Sequence, residues 1–520
     1  MRSTTTALLA LALALPAGAA ELRYAAASDP TTLDPHAGNN APNFSLLGNV
    51  YEGLVRRARD MTIEPALATS WEPIGEGEGW RFHLREGVTF HGGEDFTAED
   101  VVFSYERGSG EGSDVTSWFA PVDRVEATDD YTVEIYTTQP DPIFPDSIAN
   151  WMMMDSGWAE ANDAVSPNIE LGNYATTNAN GTGPYRIVER QPDLRTVLEA
   201  FDGYWGERGN VDRVVFTPVQ NSATAVAALL SGELDLVEPV PLQDAARLEA
   251  APGVDVIRGT EARVIMLGFP LDRDTLYGGG DGVEGNPFGD VRVREAVARA
   301  VNVPAILQTV MRGAAEPVAQ INAPSVRGYS EGIAAFDYDP EAARALLAEA
   351  GYPDGFAFSF RCPNDRYLND EAVCTAINAM LAQVGLEPRF ETMPVSTYWP
   401  AMQADEHDLF LLGWSPGTFD AEHPIRFLVT TPDEAAKLGS WNYGGYSNPR
   451  VDELLPRIQR EIDDAARQAM LDEVARIVRD DVVYVPLYVQ PLVWGVRDGV
   501  ELTQRTDNFV VFRWMEVEEG

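Results

Sequence analysis

The stretch that decides the fold is WRFHLREGVTFHGGEDFTAEDVVFS, Trp80 to Ser104. Trp80, Phe82 and Leu84 alternate with polar residues, and this period of two predicts a strand with one face on a core and one in water. Residues 88–90, after a Glu-Gly turn, predict a second short strand. The stretch therefore begins as a half-buried β unit.

The second half of the stretch predicts a helix. His91-Gly92-Gly93 ends the second strand. Thr97 occupies an N-cap position, and Glu99 and Asp100 lie in the first turn, where acids favour the positive end of the helix dipole. The apolar residues 101–103 supply the face that packs. The order is strand, strand, helix.

This stretch is part of a longer motif. Its residues, in order, are Pro65-Ala66-Leu67-Ala68, Ser70-Trp71, Trp80, Phe82, Leu84-Arg85, Gly87-Val88, Phe90-His91-Gly92-Gly93, Phe96-Thr97-Ala98 and Asp100-Val101-Val102-Phe103-Ser104. The motif resembles the signature of the family 5 extracytoplasmic solute-binding proteins, the large peptide-, dipeptide- and nickel-binding subunits of bacterial ABC importers. A generic β-β-α unit is the alternative. The resemblance implies an α/β protein with the two-lobe periplasmic-binding-protein fold, of the large three-subdomain type, with a hinge and an interlobe cleft.

The resemblance also implies how the chain is divided. We expect residues 21–64, 180–268 and 490–520 to form the first lobe, and residues 65–179 to form an accessory subdomain on it. Residues 269–489 would form the second lobe. Met152-Met153-Met154 falls in the accessory part, where we favour a core position over an adaptable apolar surface.

Residues 1–20 have the composition of a signal peptide. Arg2 precedes an apolar run, residues 7–15, that is too short to cross a bilayer. Small residues at 17–20 offer a cleavage site, and no cysteine follows for a lipid anchor. We expect a soluble protein in the periplasm.

Composition excludes several functions. The 520 residues carry a net charge of −43, which argues against nucleic-acid binding because that needs a basic surface. Lys437 is the only lysine, so the chain has no GxxxxGK[ST] phosphate loop. The five histidines lack metal-ligand spacing. We expect no cofactor and no metal.

Two further patterns concern possible chemistry. Cys362 and Cys374 are the only cysteines, and a disulfide is the default in an oxidising compartment, with two buried thiols as the alternative. Residues 413–417 match G-x-S-x-G, the pattern of a serine nucleophile. The backbone N–H after that serine builds the oxyanion hole, but here the residue is Pro416, which has no N–H. We read this match as a coincidence and the protein as no enzyme.

The candidate ligand-binding residues lie mainly in the predicted second lobe. Trp414 follows an apolar strand, and Trp441 and Tyr443 occur nearby in sequence. Arg366-Tyr367 resembles the loop whose arginine pairs with the ligand carboxylate in dipeptide-binding relatives, a task suited to a guanidinium. An ion pair of Arg366 with Asp365 or Asp370 is the alternative.

The expected amine-binding acid is missing. The resemblance implies an aspartate three residues after the pocket tryptophan, and this chain has Gly417 there. Asp420, or else Glu422, could substitute. In the first lobe, Asn40 and Phe44 follow the loop that resembles the family's first ligand-facing segment, with a capped loop as the alternative for the asparagines.

Together these patterns predict the binding subunit of an importer. We expect it to capture a small solute, favouring a peptide, by hinge closure. A membrane permease with separate ATPase subunits would then receive the solute. We expect a monomer. The alternatives are another solute on the same fold, such as an oligosaccharide stacked on Trp414 and Trp441, an opine or a metal chelate. More distant alternatives are a secreted serine hydrolase and a periplasmic chaperone or chemosensory adaptor.

Overall fold

The structure is a computed structural model that describes residues 20–168, 170–279 and 283–518. The predicted signal peptide lies outside the described residues, apart from Ala20 at the start of the first strand. No helix within the described ranges combines the length and the apolar character needed to cross a membrane.

The described strands are, in chain order, β1 (Ala20–Ala26), β2 (Val55–Arg57), β3 (Ile63–Pro65), β4 (Ala68–Ile74), β5 (Gly79–Leu84), β6 (Val122–Asp129), β7 (Thr132–Thr137), β8 (Tyr185–Gln191), β9 (Arg195–Ala200), β10 (Val211–Pro218), β11 (Leu236–Glu238), β12 (Val254–Gly268), β13 (Glu316–Pro317), β14 (Ala357–Pro363), β15 (Glu387–Met393), β16 (Leu409–Trp414), β17 (Tyr484–Arg497), β18 (Val500–Glu501) and β19 (Glu516–Val517).

The described α-helices are α1 (Ala41–Leu47), α2 (Ala98–Ser109), α3 (Phe144–Ser147), α4 (Ser156–Ala161), α5 (Ser222–Ser231), α6 (Leu242–Glu249), α7 (Val291–Ala300), α8 (Val303–Thr309), α9 (Pro340–Glu349), α10 (Asp370–Gln383), α11 (Val395–Gln403), α12 (Glu422–Pro424), α13 (Pro449–Ile458) and α14 (Asp464–Asp480). A π-helical turn, Ile425–Val429, follows α12 directly.

One large mixed sheet runs through the molecule. Its strand order is β15-β14-β16-β12-β17-β11-β1-β10-β9-β8. Parallel pairs occur on either side of its centre, β14 with β15 and β16, and β1 with β10 and β11, and the antiparallel strands β9 and β8 complete the second side. The two long antiparallel strands between them, β12 and β17, join the two halves. The architecture is the predicted α/β type.

The opening stretch folds largely as its pattern predicts. β5 places Phe82 in the core, and α2 begins after Thr97, whose backbone N–H donates to the Asp100 carboxylate at 2.9 Å. The predicted second strand is wrong: of residues 88–90 only Thr89 pairs, in a single bridge to Asp95. The Gly-Gly turn folds this segment back on itself after one pair, so no neighbouring strand continues it.

The accessory region has its own sheet, in the order β4-β5-β7-β6. The methionines 152–154 are at most 5% exposed and pack in the core beside it, which confirms the core interpretation. Such flexible side chains suit the irregular gaps of a core.

The ladder between β12 and β17 is irregular at two points, between Thr260 and Val264 and between Ile265 and Met266, and the first is the larger. Thr260 pairs with Pro491 and Val264 pairs with Val489, so β12 carries extra residues over this interval. A bulge of this kind bends a strand and increases its twist. The domain limits derived from the sequence stay a prediction, and this irregularity marks the position at which we expect the hinge.

Candidate functional site

The loop after β14 is held at both ends. Cys362 in β14 and Cys374 in α10 form a disulfide, with Cα atoms 6.5 Å apart, which confirms the predicted bond. The backbone N–H of Leu368 also donates to the Gln490 side chain on β17, at 3.4 Å. The loop that carries Arg366 and Tyr367 is therefore tied to a strand that joins the two halves.

Arg366 is an exposed cation without a carboxylate partner among the described residues. The predicted alternative, an ion pair with Asp365 or Asp370, does not occur, because both acids accept from backbone N–H groups. The Arg366 guanidinium lies 5.2 Å from the centre of the Tyr367 ring. Partial burial and the nearby charge of Arg263 lower the pKa of Arg366.

Tyr367 has a structural task. Its side chain is 6% exposed, and its hydroxyl accepts a hydrogen bond from the backbone N–H of Gly413 at 2.9 Å. Gly413 belongs to β16, immediately before Trp414. The tyrosine therefore fixes the Arg366 loop against the strand that presents the tryptophan.

A polar group on the joining strands lies beside this loop, and sequence reasoning missed it. Arg263 in the bulge of β12 forms an ion pair with Glu261 at 2.8 Å, and Gln490 of β17 donates to the same carboxylate at 2.6 Å. The available signal was the interruption of apolar strands by these polar residues. Arg263 has a carboxylate partner, whereas Arg366 has none among the described residues.

The predicted aromatic residues come together. Trp414 lies 5.6 Å from Trp441 between ring centres, and Trp441 lies 5.8 Å from Tyr443. Trp399 joins them, 5.4 Å from Trp441. The planes of Trp414 and Trp441 are inclined at 63°, so they do not offer two parallel faces to a flat ligand.

His423 belongs to this aromatic cluster, although the sequence patterns did not identify it. Trp414 donates its indole N–H to Nδ1 of His423 at 3.3 Å. An indole N–H only donates, so the neutral imidazole carries its proton on Nε2. Burial, with a smaller contribution from the charge of Arg426, lowers the pKa of His423 to about 3.

Gly417 lies next to that imidazole. A Cβ atom on Gly417 would meet only Nε2 of His423, at 3.7 Å. Where the resemblance implies an aspartate, this site therefore presents open space beside a hydrogen-bond donor. The segment directly after Ser415 is a turn, and the next helix begins only at Glu422, which agrees with reading the G-x-S-x-G match as a coincidence.

Asp420 does not take the place of the missing acid. It is fully buried, and both its carboxylate oxygens accept from Arg467, at 2.9 and 2.7 Å. Glu422 is also buried and accepts from Gln459 at 2.6 Å. The prediction that Asp420 receives a ligand ammonium is corrected, because the carboxylate already neutralises a buried arginine.

The two predicted residues of the first half have structural positions. The Asn40 side chain accepts from the backbone N–H of Asn43 and caps α1, which is a structural task. Phe44 is 7% exposed and packs on Trp118, with ring centres 5.4 Å apart. Both contacts are internal, so any ligand contact by Asn40 or Phe44 stays a prediction.

A separate set of contacts joins the accessory region to the other half. Arg460 donates to Gln139 at 3.0 and 2.8 Å, and Arg327 lies 3.4 Å from Asp146. Asp141 lies in the same accessory segment. Burial, with the negative charge of Glu422 next in size, raises the pKa of Asp141 to about 7.

Comparisons with known proteins agree with this architecture. The family described as bacterial extracellular solute-binding proteins, family 5 Middle, matches residues 62–435. The dipeptide-binding protein of Escherichia coli (strain K12) is 27% identical over 500 residues, covering 91% of this chain and 90% of that protein. Glutathione-binding protein GsiB of the same strain is 27% identical over 504 residues, covering 93% of each.

A solved structure shares the fold over nearly the whole length. The periplasmic binding protein DppA of Helicobacter pylori, in complex with the peptide STSA, superposes with a TM-score of 0.77 at 25% identity, covering 96% of this chain and 98% of that one. The family match extends over more than half of the chain. The chain belongs to the family 5 bacterial extracellular solute-binding proteins.

Proposed function

We propose that this protein is the periplasmic substrate-binding subunit of an ABC importer and that its solute is a peptide. The observation that carries the proposal is the exposed guanidinium of Arg366. It lies over the ring of Tyr367, whose hydroxyl bonds to the strand that ends at Trp414, and it has no carboxylate partner among the described residues. A peptide supplies the missing carboxylate at its C-terminus. The names of the dipeptide- and glutathione-binding relatives support the same ligand class.

The mechanism follows from the two joining strands. An open form binds the peptide to one lobe, and bending at β12 and β17 brings the other lobe onto it. A ligand shifts the equilibrium toward the closed form only by its difference in affinity for the two forms, so it must contact both lobes. The closed form then meets the permease, whose separate ATPase subunits supply the energy. The protein binds its ligand as a monomer and converts nothing.

The aromatic cluster also has to be considered as a sugar site. A sugar ring sandwiched between two tryptophans needs roughly parallel faces, and the inclined pair Trp414 and Trp441 does not provide them. The cluster fits apolar peptide side chains better, because edges and faces at mixed angles line an irregular pocket. We therefore place the peptide ahead of the oligosaccharide, opine and chelate.

A thermal-shift screen tests the proposal. Peptides of two to five residues, oligosaccharides, opines and nickel chelates are added singly to the purified protein. A ligand at 100 times its Kd stabilises the folded state by about 2.7 kcal/mol, so binders raise Tm clearly. We expect stabilisation by peptides. Stabilisation by an oligosaccharide, with no response to any peptide, would refute the peptide assignment.

A further inference from the structure

A cavity lies at the carboxyl ends of three parallel strands in the first half of the sheet. Its volume is about 170 Å³, and its lining includes Tyr24, Ser28, Pro30, Glu238 and Asn508. β1, β10 and β11 all end here. In open α/β sheets, ligands bind in the crevice outside the carboxyl ends of the strands.

The cavity is on the side of the sheet that faces the hinge. β11 pairs antiparallel with β17, so the direction from Leu236 to Glu238 leads toward the part of β17 that crosses to the other half. The segment that contributes Asn508 also reaches the bulge of β12, where Ala262 donates its backbone N–H to Thr506 at 2.8 Å. We therefore expect a solute held between the predicted lobes to reach this cavity.

Glu238 supplies a carboxylate to the cavity with only neutral partners. The hydroxyl of Tyr24 donates to Oε1 at 2.7 Å, and the amide of Asn508 donates to Oε2 at 3.4 Å. Trp494 donates its indole N–H to the amide oxygen of Asn508 at 3.0 Å. Because an indole only donates, this contact fixes the amide with its NH₂ group toward Glu238.

Glu238 is therefore a carboxylate whose described partners carry no positive charge. Within the described residues Glu238 has no ion pair with arginine, lysine or histidine. Buried carboxylates are normally paired with a cation, because desolvation of an uncompensated charge is costly. Burial raises the pKa of Glu238, which is the response of a carboxyl group that lacks such a partner.

We propose that Glu238, oriented by Tyr24 and Asn508, binds the ammonium group of the ligand from the first lobe. The proposal rests on the proposed peptide function and adds the recognition of a free amine. It accounts for two observations in the second lobe, where Gly417 stands at the expected aspartate position and Asp420 is paired with Arg467. A peptide held by Glu238 at its amine and by Arg366 at its carboxylate bridges both lobes, which is what closure requires.

The test compares Glu238→Gln with the wild type, using tetra-alanine and its N-acetyl form as probes in titration calorimetry. Glu233→Gln is the matched control, since Glu233 is an exposed acid that precedes β11 and does not line the cavity. We expect the wild type to prefer the free amine by about 10- to 100-fold, the range for a hydrogen bond between charged groups. Glu238→Gln should lose this preference without weakening the acetylated peptide, and Glu233→Gln should keep it. A variant that still prefers the free amine, or that weakens both probes equally, overturns the proposal.

Two further measurements separate this proposal from the peptide assignment. If no peptide binds the wild type, the peptide function fails, and a panel of arginine, putrescine and other small amines is screened on wild type and Glu238→Gln. Stabilisation by an amine that disappears in the variant keeps the subsite, and no such response rejects it. If Glu238→Gln does not fold, carbodiimide labelling of the wild type replaces it. The free peptide and not the acetylated one should then protect Glu238.

Discussion

The indole N–H of Trp414 donates to Nδ1 of His423 at 3.3 Å and thereby leaves Nε2 as a hydrogen-bond donor beside Gly417 in the candidate ligand site. The imidazole stays neutral, since burial lowers its pKa to about 3. Its second nitrogen is therefore a donor over the whole physiological range of pH. A ligand that reaches this point is received by an N–H group and not by an acid.

Introducing an acid at Gly417 should place a hydrogen-bond acceptor where the site now presents the N–H donor of His423. A Cβ there makes only an ordinary contact with His423 and needs no unusual backbone angle, so Gly417→Asp is sterically tolerated. The new carboxylate should accept from Nε2 and raise the pKa of His423 from about 3, because an opposite charge favours the imidazolium. Titration of the histidine resonances by NMR measures the change. Gly417→Asn is the uncharged control, and an equal shift in both variants would contradict the electrostatic explanation.

Replacing Arg366 should remove recognition of the peptide carboxylate. In Arg366→Gln we expect the affinity for tetra-alanine to fall by about 10- to 100-fold, because a charge-assisted pair is lost. The affinity for the C-terminal amide of the same peptide should stay unchanged. Calorimetry of both peptides checks this, with Arg476→Gln, an exposed arginine on α14, as the control. Equal losses for acid and amide would show that Arg366 does not bind the carboxylate.

Breaking the disulfide should lower both the free energy of unfolding and the affinity for the peptide, because the bond holds the loop that carries Arg366. The Cys362→Ser/Cys374→Ser variant should lose about 2–3 kcal/mol of unfolding free energy, the value for a short closed loop. Its affinity for tetra-alanine should also fall, because the Arg366 loop is then held at one end less firmly. Urea denaturation with and without dithiothreitol measures the first effect. The reductant should destabilise the wild type and leave the variant unchanged.

Ionisation of Asp141 should open the protein as the pH rises. Burial, with the charge of Glu422 and of Asp420 added and that of Arg467 opposed, raises its pKa to about 7 in this arrangement. In an open form, exposed to water, the pKa returns to roughly 3.9. The stabilisation of the closed form is therefore complete below about pH 4 and is lost as the pH rises through about 7.

This linkage changes the ratio of closed to open ligand-free protein by about tenfold between pH 6 and pH 8. The radius of gyration from small-angle X-ray scattering should accordingly increase over that interval. Asp141→Asn should remove the dependence, and Asp130→Asn, an exposed acid of the same region, should preserve it. A radius that responds to pH equally in both variants would exclude Asp141 as the cause.

Local patterns predicted the local structure well. The alternation from Trp80 to Leu84, the N-cap at Thr97 and the disulfide between Cys362 and Cys374 all follow from neighbours in the chain or from the compartment. The resemblance to the family supplied the large-scale fold, which such patterns alone do not determine.

The site was less predictable because its contacts join distant residues. The sequence left the Asp420 carboxylate free to bind a ligand, but in the structure it forms an ion pair with Arg467 of α14. Glu261 and Gln490 meet only because β12 and β17 pair across 229 positions of sequence. Glu238 shows no local motif, and its isolation from cations is visible only once Tyr24, Asn508 and Trp494 surround it.

The pairing of β12 with β17 has a mechanical consequence. Both crossings between the halves are strands of one continuous ladder and neither is a loose linker, so opening has to flex hydrogen-bonded backbone without unfolding it. We expect the strands to bend at the extra residues between Thr260 and Val264, where the ladder is interrupted. Because the strands stay paired during this bending, the two halves should follow the same path each time the protein opens and closes.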